Sequence, residues 1–187
     1  MRLRLLLTSF LSAAILIPAS LNAQNQAAES RFWISAGAGG GWARVACAVC
    51  RTDRNLGPAA YLRVGVTARE GLLIGTEVNA WTREREDERE WTRAMGAVAY
   101  LYPRASSPLF VKGGVSYMGF SVDDVSIGTV GVQVGAGYEF RIGRHLYITN
   151  YLNLLASSFG TLHVDGDAAV RDVGLTLLQA GVGFTRR

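Results

Sequence analysis

After Ile17 the chain contains no apolar run long enough to cross a membrane as a helix, which excludes a helical membrane protein beyond the N-terminus. Two cysteines and two histidines are all the soft metal ligands it offers. It has no basic helix and no aromatic RNA-binding motif, so its pI of about 9.4 is weak support for a nucleic-acid partner. Part of the formal charge of +4 comes from Arg2 and Arg4, which leaves the rest of the chain close to balance. Charge is modest for a soluble protein of this size and proline is scarce at 4, whereas glycine is abundant at 22.

What is present begins with an address. Arg2 and Arg4 flank an apolar run from Leu5 to Ile17, followed by Pro18 and small residues ending at Ala23. A basic start, a short apolar centre and a cleavage site predict a secretory signal peptide at 1–23, although Leu21 is larger than the usual residue at that place. A polar linker at 24–30 then leads into one domain at 31–187. The expected destination is the outer membrane, reached by export through an oxidising compartment.

The stretch Thr129 to Phe140, TVGVQVGAGYEF, alternates strictly. Val130, Val132, Val134, Ala136, Tyr138 and Phe140 share one face; Thr129, Gly131, Gln133, Gly135, Gly137 and Glu139 share the other. Period two over that length predicts a strand with one apolar face, close to what a tilted strand needs to span a bilayer. Seven further strands are expected at Phe32–Trp42, Ala60–Ala68, Leu72–Trp81, Trp91–Tyr102, Leu109–Phe120, His145–Ala156 and Val170–Thr185. The fourth alternates poorly, with Val98, Tyr100 and Tyr102 assigned outward. The last changes phase, with Val173, Leu175 and Leu177 out of step, which predicts a bulge near Leu177 or a strand boundary placed elsewhere.

Links at Arg69–Gly71, Pro103–Ser107 and Arg141–Arg144 read as tight turns. Those at Ala43–Gly57, Arg83–Glu90, Ser121–Gly128 and Ser157–Ala169 read as longer polar loops. Even strand number, short turns on one side and long loops on the other predict an all-β, eight-stranded antiparallel up-and-down transmembrane barrel. Aromatic girdles are expected from Phe32, Tyr100, Tyr102, Tyr138, Phe140 and Phe184 at one level and Trp42, Trp91 and Tyr117 at the other. Trp81 lies at the second level but has lumen parity.

Three segments carry a family resemblance: LFVKGGVSY (Leu109–Tyr117), GVQVGAGYEF (Gly131–Phe140) and QAGVGF (Gln179–Phe184). The chain resembles the small outer-membrane β-barrels, a family that includes the membrane domain of outer membrane protein A and the opacity-type surface antigens. The closing segment is similar to the terminal signal read by the barrel-assembly machinery, with Gln179, Gly181 and Phe184 in the matching places. It departs by continuing through Thr185, Arg186 and Arg187. The resemblance implies a monomer in outer-membrane lipid and lipopolysaccharide, and architecture rather than activity.

Arg63 and Glu77 lie equally far from the turn at Glu70 and share lumen parity with Lys112 and Glu139. An eight-stranded barrel fills with its own side chains, so these charges are expected to form a register-fixing ion-pair network. The alternative is a narrow channel for water or small ions gated by those pairs, because Gly37, Gly39, Gly65, Gly131, Gly135 and Gly137 leave room in the lumen. Cys47 and Cys50 fall in the first external loop, where a local disulfide is expected. Zinc would need two more ligands, and His145 and His163 lie on opposite sides, so no metal or cofactor is expected. Catalysis on lipid A would draw on Ser157, Ser158, His163, Asp165 and Asp167, but the His-x-Ser pair of the deacylases is missing. The run Arg83 to Glu90, REREDERE, reads as a solvated tip, with a surface-binding role toward host, matrix or a phage as the alternative. A non-enzymatic barrel, structural or surface-exposed, is the expectation.

Overall fold

The computed structural model describes residues 32–47, 55–85, 88–104, 106–164 and 167–187. The expected signal peptide and linker lie outside them. The strands are β1 (Phe32–Ala46), β2 (Asn55–Arg69), β3 (Leu72–Arg85), β4 (Glu88–Leu101), β5 (Leu109–Val122), β6 (Val125–Arg141), β7 (Leu146–Ala156), β8 (Gly160–Val164) and β9 (Asp167–Arg186). Each pairs antiparallel with its neighbours, and β9 returns to β1 to close a barrel. β7 and β8 both pair with β6 and with β9. They are two lengths of one stave, broken at Ser157–Phe159, so the closed barrel has eight staves as the alternation predicts.

The period-two pattern reappears as an inside-out molecule. On β6, Val130, Val132, Val134, Tyr138 and Phe140 are exposed, while Thr129, Gln133 and Glu139 are buried in the interior. Leu62, Val78, Met95, Val115, Leu152 and Val182 continue the exposed apolar face around the wall. Closure pairs each described stave with a neighbour on both sides.

Three expectations are corrected. First, Val98, Tyr100 and Tyr102 point inward and are buried, so neither tyrosine belongs to a girdle. Their outward neighbours Ala97, Ala99 and Leu101 are also apolar, which erases the contrast that alternation relies on. Second, β9 has no bulge at Leu177: its pairing with β1 runs unbroken from Ala46↔Gly174 to Ile34↔Arg186. Val173, Leu175 and Leu177 face inward with Gln179 because the far third of the interior is apolar. That third is built by Trp81, Met118, Ile127 and Leu155 around those three residues. The irregularity lies further toward the tip: the partner stave is broken between β7 and β8, and β9 carries extra residues against β8 between Ala168 and Val173, where Asp172 has φ 58°.

Third, the polar loops are hairpin ladders. Arg83↔Glu90, Glu84↔Arg89 and Arg85↔Glu88 continue the β3–β4 register, and Val122↔Val125 closes the β5–β6 hairpin. Asp123, at φ 45°, turns that last tip in the left-handed region that aspartate tolerates better than most residues. Beyond the apolar band both faces of a ribbon meet water, so no alternation marks the strand. Of the first loop, residues 48–54 lie outside the described residues.

The interior is layered. At the end carrying the termini, Trp33, Leu73, Val98, Tyr100, Tyr102 and Phe110 form an aromatic cluster. The far end holds the apolar cluster already described. Between them lie Arg63, Glu77, Asn79, Lys112, Ser116, Gln133, Asn153 and Gln179, all buried. The glycines that leave room on paper are covered. A Cβ at Gly37 would sit 2.5 Å from Tyr61 Cε1, one at Gly135 2.8 Å from Lys112 Cε, and one at Gly137 would strike the Phe110 ring. At these three the space is taken by larger side chains, whereas Gly39 and Gly65 lie against the backbone of the neighbouring stave.

Candidate functional site: the charged centre of the barrel

Register builds the centre. The β2–β3 hairpin sets Arg63 opposite Glu77, as the symmetric spacing about Glu70 predicts. Arg63 Nε approaches Glu77 Oε2 at 2.9 Å, and Lys112 Nζ reaches across the lumen to Glu77 Oε1 at 2.5 Å. Tyr100 Oη donates to Glu77 Oε2 at 2.5 Å. Asn79 Nδ2 and Asn153 Nδ2 donate to Oε1 at 2.8 and 3.2 Å. One carboxylate thus gathers hydrogen-bond donors from β3, β4, β5 and β7 and an ion-pair contact from β2, which ties staves from both sides of the barrel to a single point. A carboxylate has about four lone-pair sites, and Glu77 uses them fully.

Arg63 is held by its face as well as its edge. Its guanidinium carbon lies 3.6 Å from the Tyr61 ring centroid, 5.3 Å from Tyr151 and 5.6 Å from Tyr100. Tyr61 and Tyr151 meet edge-on at 4.6 Å. The stacking offsets part of the desolvation of a cation that is 2% exposed. The Nε–H is not aligned on the Glu77 oxygen, so their contact is an ion pair without a hydrogen bond. Arg63 Nη2 also lacks a hydrogen-bond partner among the described residues.

The fourth residue of the expected network sits elsewhere. Glu139 pairs with Arg187 Nη2 at 2.9 Å and accepts from Thr149 Oγ1 at 3.5 Å. Lys112 is in register with Gly135, four residues along β6 from Glu139, and turns to Glu77 instead. The interior therefore has a 2:1 cation–anion cluster and, nearer the termini, a separate neutral pair. Arg187 also stacks on Tyr147 at 4.5 Å and Tyr102 at 4.7 Å. The residue by which the C-terminus departs from the assembly signal is thus the partner of Glu139. Parity could have found it, since Gln179, Gly181, Gly183, Thr185 and Arg187 share one face. The Tyr61–Tyr151 seat for Arg63 was open to the same logic.

An internal cavity of about 10 Å³ touches Trp33, Ser35, Arg63, Tyr102 and Glu139 among its lining residues. That is roughly the volume of one water. The other sites fall as follows. Gln179 is buried and donates from Nε2 to the Ala80 carbonyl at 3.3 Å; Gly181 packs against Gly39, and Phe184 faces out. Phe32, Trp42, Tyr117, Tyr138, Phe140 and Phe184 are exposed on the outer wall, and Trp91 is half-buried with Arg93 5.0 Å over its ring. Trp81 is interior, its Nε1 donating to the Gly41 carbonyl at 3.0 Å. Cys47 directly follows β1; Cys50 lies outside the described residues. Ser157 Oγ accepts from the Leu175 amide at 3.2 Å, His163 lies on β8 in register with Ala168 and Ser126, and Asp165 lies outside the described residues.

The chain is similar to the crystal structure of Neisserial surface protein A, with TM-score 0.62 and 16% identity, over 84% of this chain and 97% of that one. It is also similar to the attachment invasion locus protein of Yersinia pestis, with TM-score 0.49 and 16% identity, over 82% and 97%. The first likeness establishes a shared architecture, that of the small eight-stranded outer-membrane barrels; at this identity neither protein's role passes to this chain. No protein-family model and no curated protein matches it.

Proposed function

We propose that the chain is a non-enzymatic outer-membrane barrel with a structural or surface role, inserted by the barrel-assembly machinery and surrounded by lipid and lipopolysaccharide as a monomer. The single observation that carries the reading is the inverted surface. Large apolar side chains such as Val130, Tyr117 and Leu62 are 67%, 62% and 48% exposed, while charged Arg63, Glu77 and Lys112 are buried. In water such a wall is an aggregation hazard; in lipid it is the favourable state. Staves of 14 or more residues exceed the roughly 9–11 a tilted strand needs to span a bilayer, so the β3–β4 and β5–β6 hairpins stand clear as surface ribbons.

Fractionation of expressing cells is the test. The mature chain is expected in the outer membrane, with migration in detergent gels that changes on heating. Recovery as a soluble periplasmic monomer would end the proposal. In planar bilayers the packed interior is expected to give no resolved single-channel current.

The disulfide belongs to the same proposal. Without reductant the folded protein is expected to resist maleimide, and to take two labels per chain after reduction, since the sequence has two cysteines. Quantitative labelling before reduction would show free thiols.

A further inference from the structure

One feature of the outer wall lies apart from the charged centre. On the β7–β9–β1 surface, Trp42, Arg44, Leu154, Thr176 and Leu178 line a groove of about 500 Å³. The register explains its composition. Trp42, Leu178 and Leu154 stand side by side in one row, and Arg44 and Thr176 in the next row toward the hairpin tips. Trp42 and Leu154 are exposed outward, so the lower row is apolar wall. On the side of the termini, the following row holds Gly40 and Ala180, where a Cβ added at Gly40 would meet only Leu56 Cδ1 at 4.0 Å. The groove therefore stays open along the strand direction.

Arg44 is what makes this more than an uneven wall. Its Nε is buried, yet it has no hydrogen-bond partner among the described residues. No carboxylate among them forms an ion pair with it either. A guanidinium two residues beyond a tryptophan sits about 6–7 Å further along the strand, the offset between the interface and a headgroup phosphate. Its planar fork matches phosphate oxygens bidentately.

We propose that this groove seats a phosphorylated lipid of the external leaflet, its phosphate on Arg44 and an acyl chain along Leu178 and Leu154. The proposal rests on the outer-membrane reading above and adds a discrete site to it. A general basic belt would hold lipid diffusely; here one arginine and one apolar slot define a stoichiometry of one.

The test titrates the refolded full chain in detergent with bis-phosphorylated lipid A and with the same lipid stripped of its phosphates, read by native mass spectrometry. One tight lipid per barrel is expected for the phosphorylated form. Arg44→Gln is expected to weaken it about tenfold, as loss of one charge-assisted contact does. Thr176→Trp, which fills the groove, is expected to weaken both lipids, and Arg93→Gln, elsewhere on the outer wall, neither. Equal losses from Arg44→Gln and Arg93→Gln would overturn the site, as would displacement by excess inorganic phosphate or equal affinity for the stripped lipid. Should Arg44→Gln not fold, the Arg44 Nε–H resonance of the parent decides: a lipid-dependent shift supports the site, and its absence removes it. Flotation with lipid vesicles separates the two readings. A barrel that floats but binds no discrete lipid loses this site alone, and one that does not float loses both.

Discussion

Replacing Glu77 with alanine is expected to destabilise the folded barrel by about 3–5 kcal/mol, because it strands two cations in a closed interior. Arg63 and Lys112 are 2% and 5% exposed, and Glu77 is the carboxylate that both reach. The change also removes the acceptor of Tyr100, Asn79 and Asn153. Exchanging Arg63 and Glu77 together for apolar residues does not restore balance, since Lys112 stays behind unpaired. Removing the whole triad leaves no buried charge behind: Arg63→Met, Glu77→Leu and Lys112→Met in one chain should cost less than Glu77→Ala alone, although three donors still lose their acceptor. Urea unfolding in detergent or lipid gives the comparison. A loss under about 1 kcal/mol for Glu77→Ala would place the centre in water that screens both cations, and would revive the conducting reading.

This centre shows where the sequence was readable and where it was not. Arg63 opposite Glu77 follows from counting residues either side of a turn, because an antiparallel hairpin leaves no freedom once its turn is placed. The partner of Lys112 does not follow. Lys112 is far from Glu77 in sequence, and its flexible stem chooses between carboxylates only after all eight staves have closed. Parity alone puts Glu139 in the same network, but parity fixes the face of a side chain and not its height in the barrel.

The alternation itself was legible wherever one face was apolar and the other was not, as on β6. It failed on β4, where inward Val98 and outward Ala97, Ala99 and Leu101 are all apolar, and it reversed on the far half of β9, where inward Val173, Leu175 and Leu177 are more apolar than outward Gly174 and Thr176. There the interior, packed by Trp81, Met118 and Leu155, is at least as hydrophobic as the surface. The hairpin ladders failed for the opposite reason: at Arg83–Glu90 both faces are polar. Periodicity reports a difference between two environments and is silent where they match.

The second large effect concerns that apolar end. Leu177→Ala is expected to cost about 2–5 kcal/mol, and its neighbour Leu178→Ala under about 1 kcal/mol. Leu177 is fully buried, packed in the cluster with Val173, Leu175 and Leu155, and removing its side chain leaves a cavity that a closed barrel cannot collapse around. Leu178 points outward beside Trp42 and Leu154, where lipid or detergent chains occupy whatever space is vacated. Two adjacent leucines, equal in chemistry, are thus separated only by the side of the wall they face. The contrast tests the phase of β9 directly. A bulge near Leu177 would allow the two costs to converge or exchange order, whereas the unbroken register with β1 requires the inner residue to dominate. The same measurement bears on conduction, since Leu177 belongs to the apolar layer that closes the far end of the interior. If Leu177→Ala costs no more than Leu178→Ala, that layer is loosely packed and the far end of the barrel is open to water.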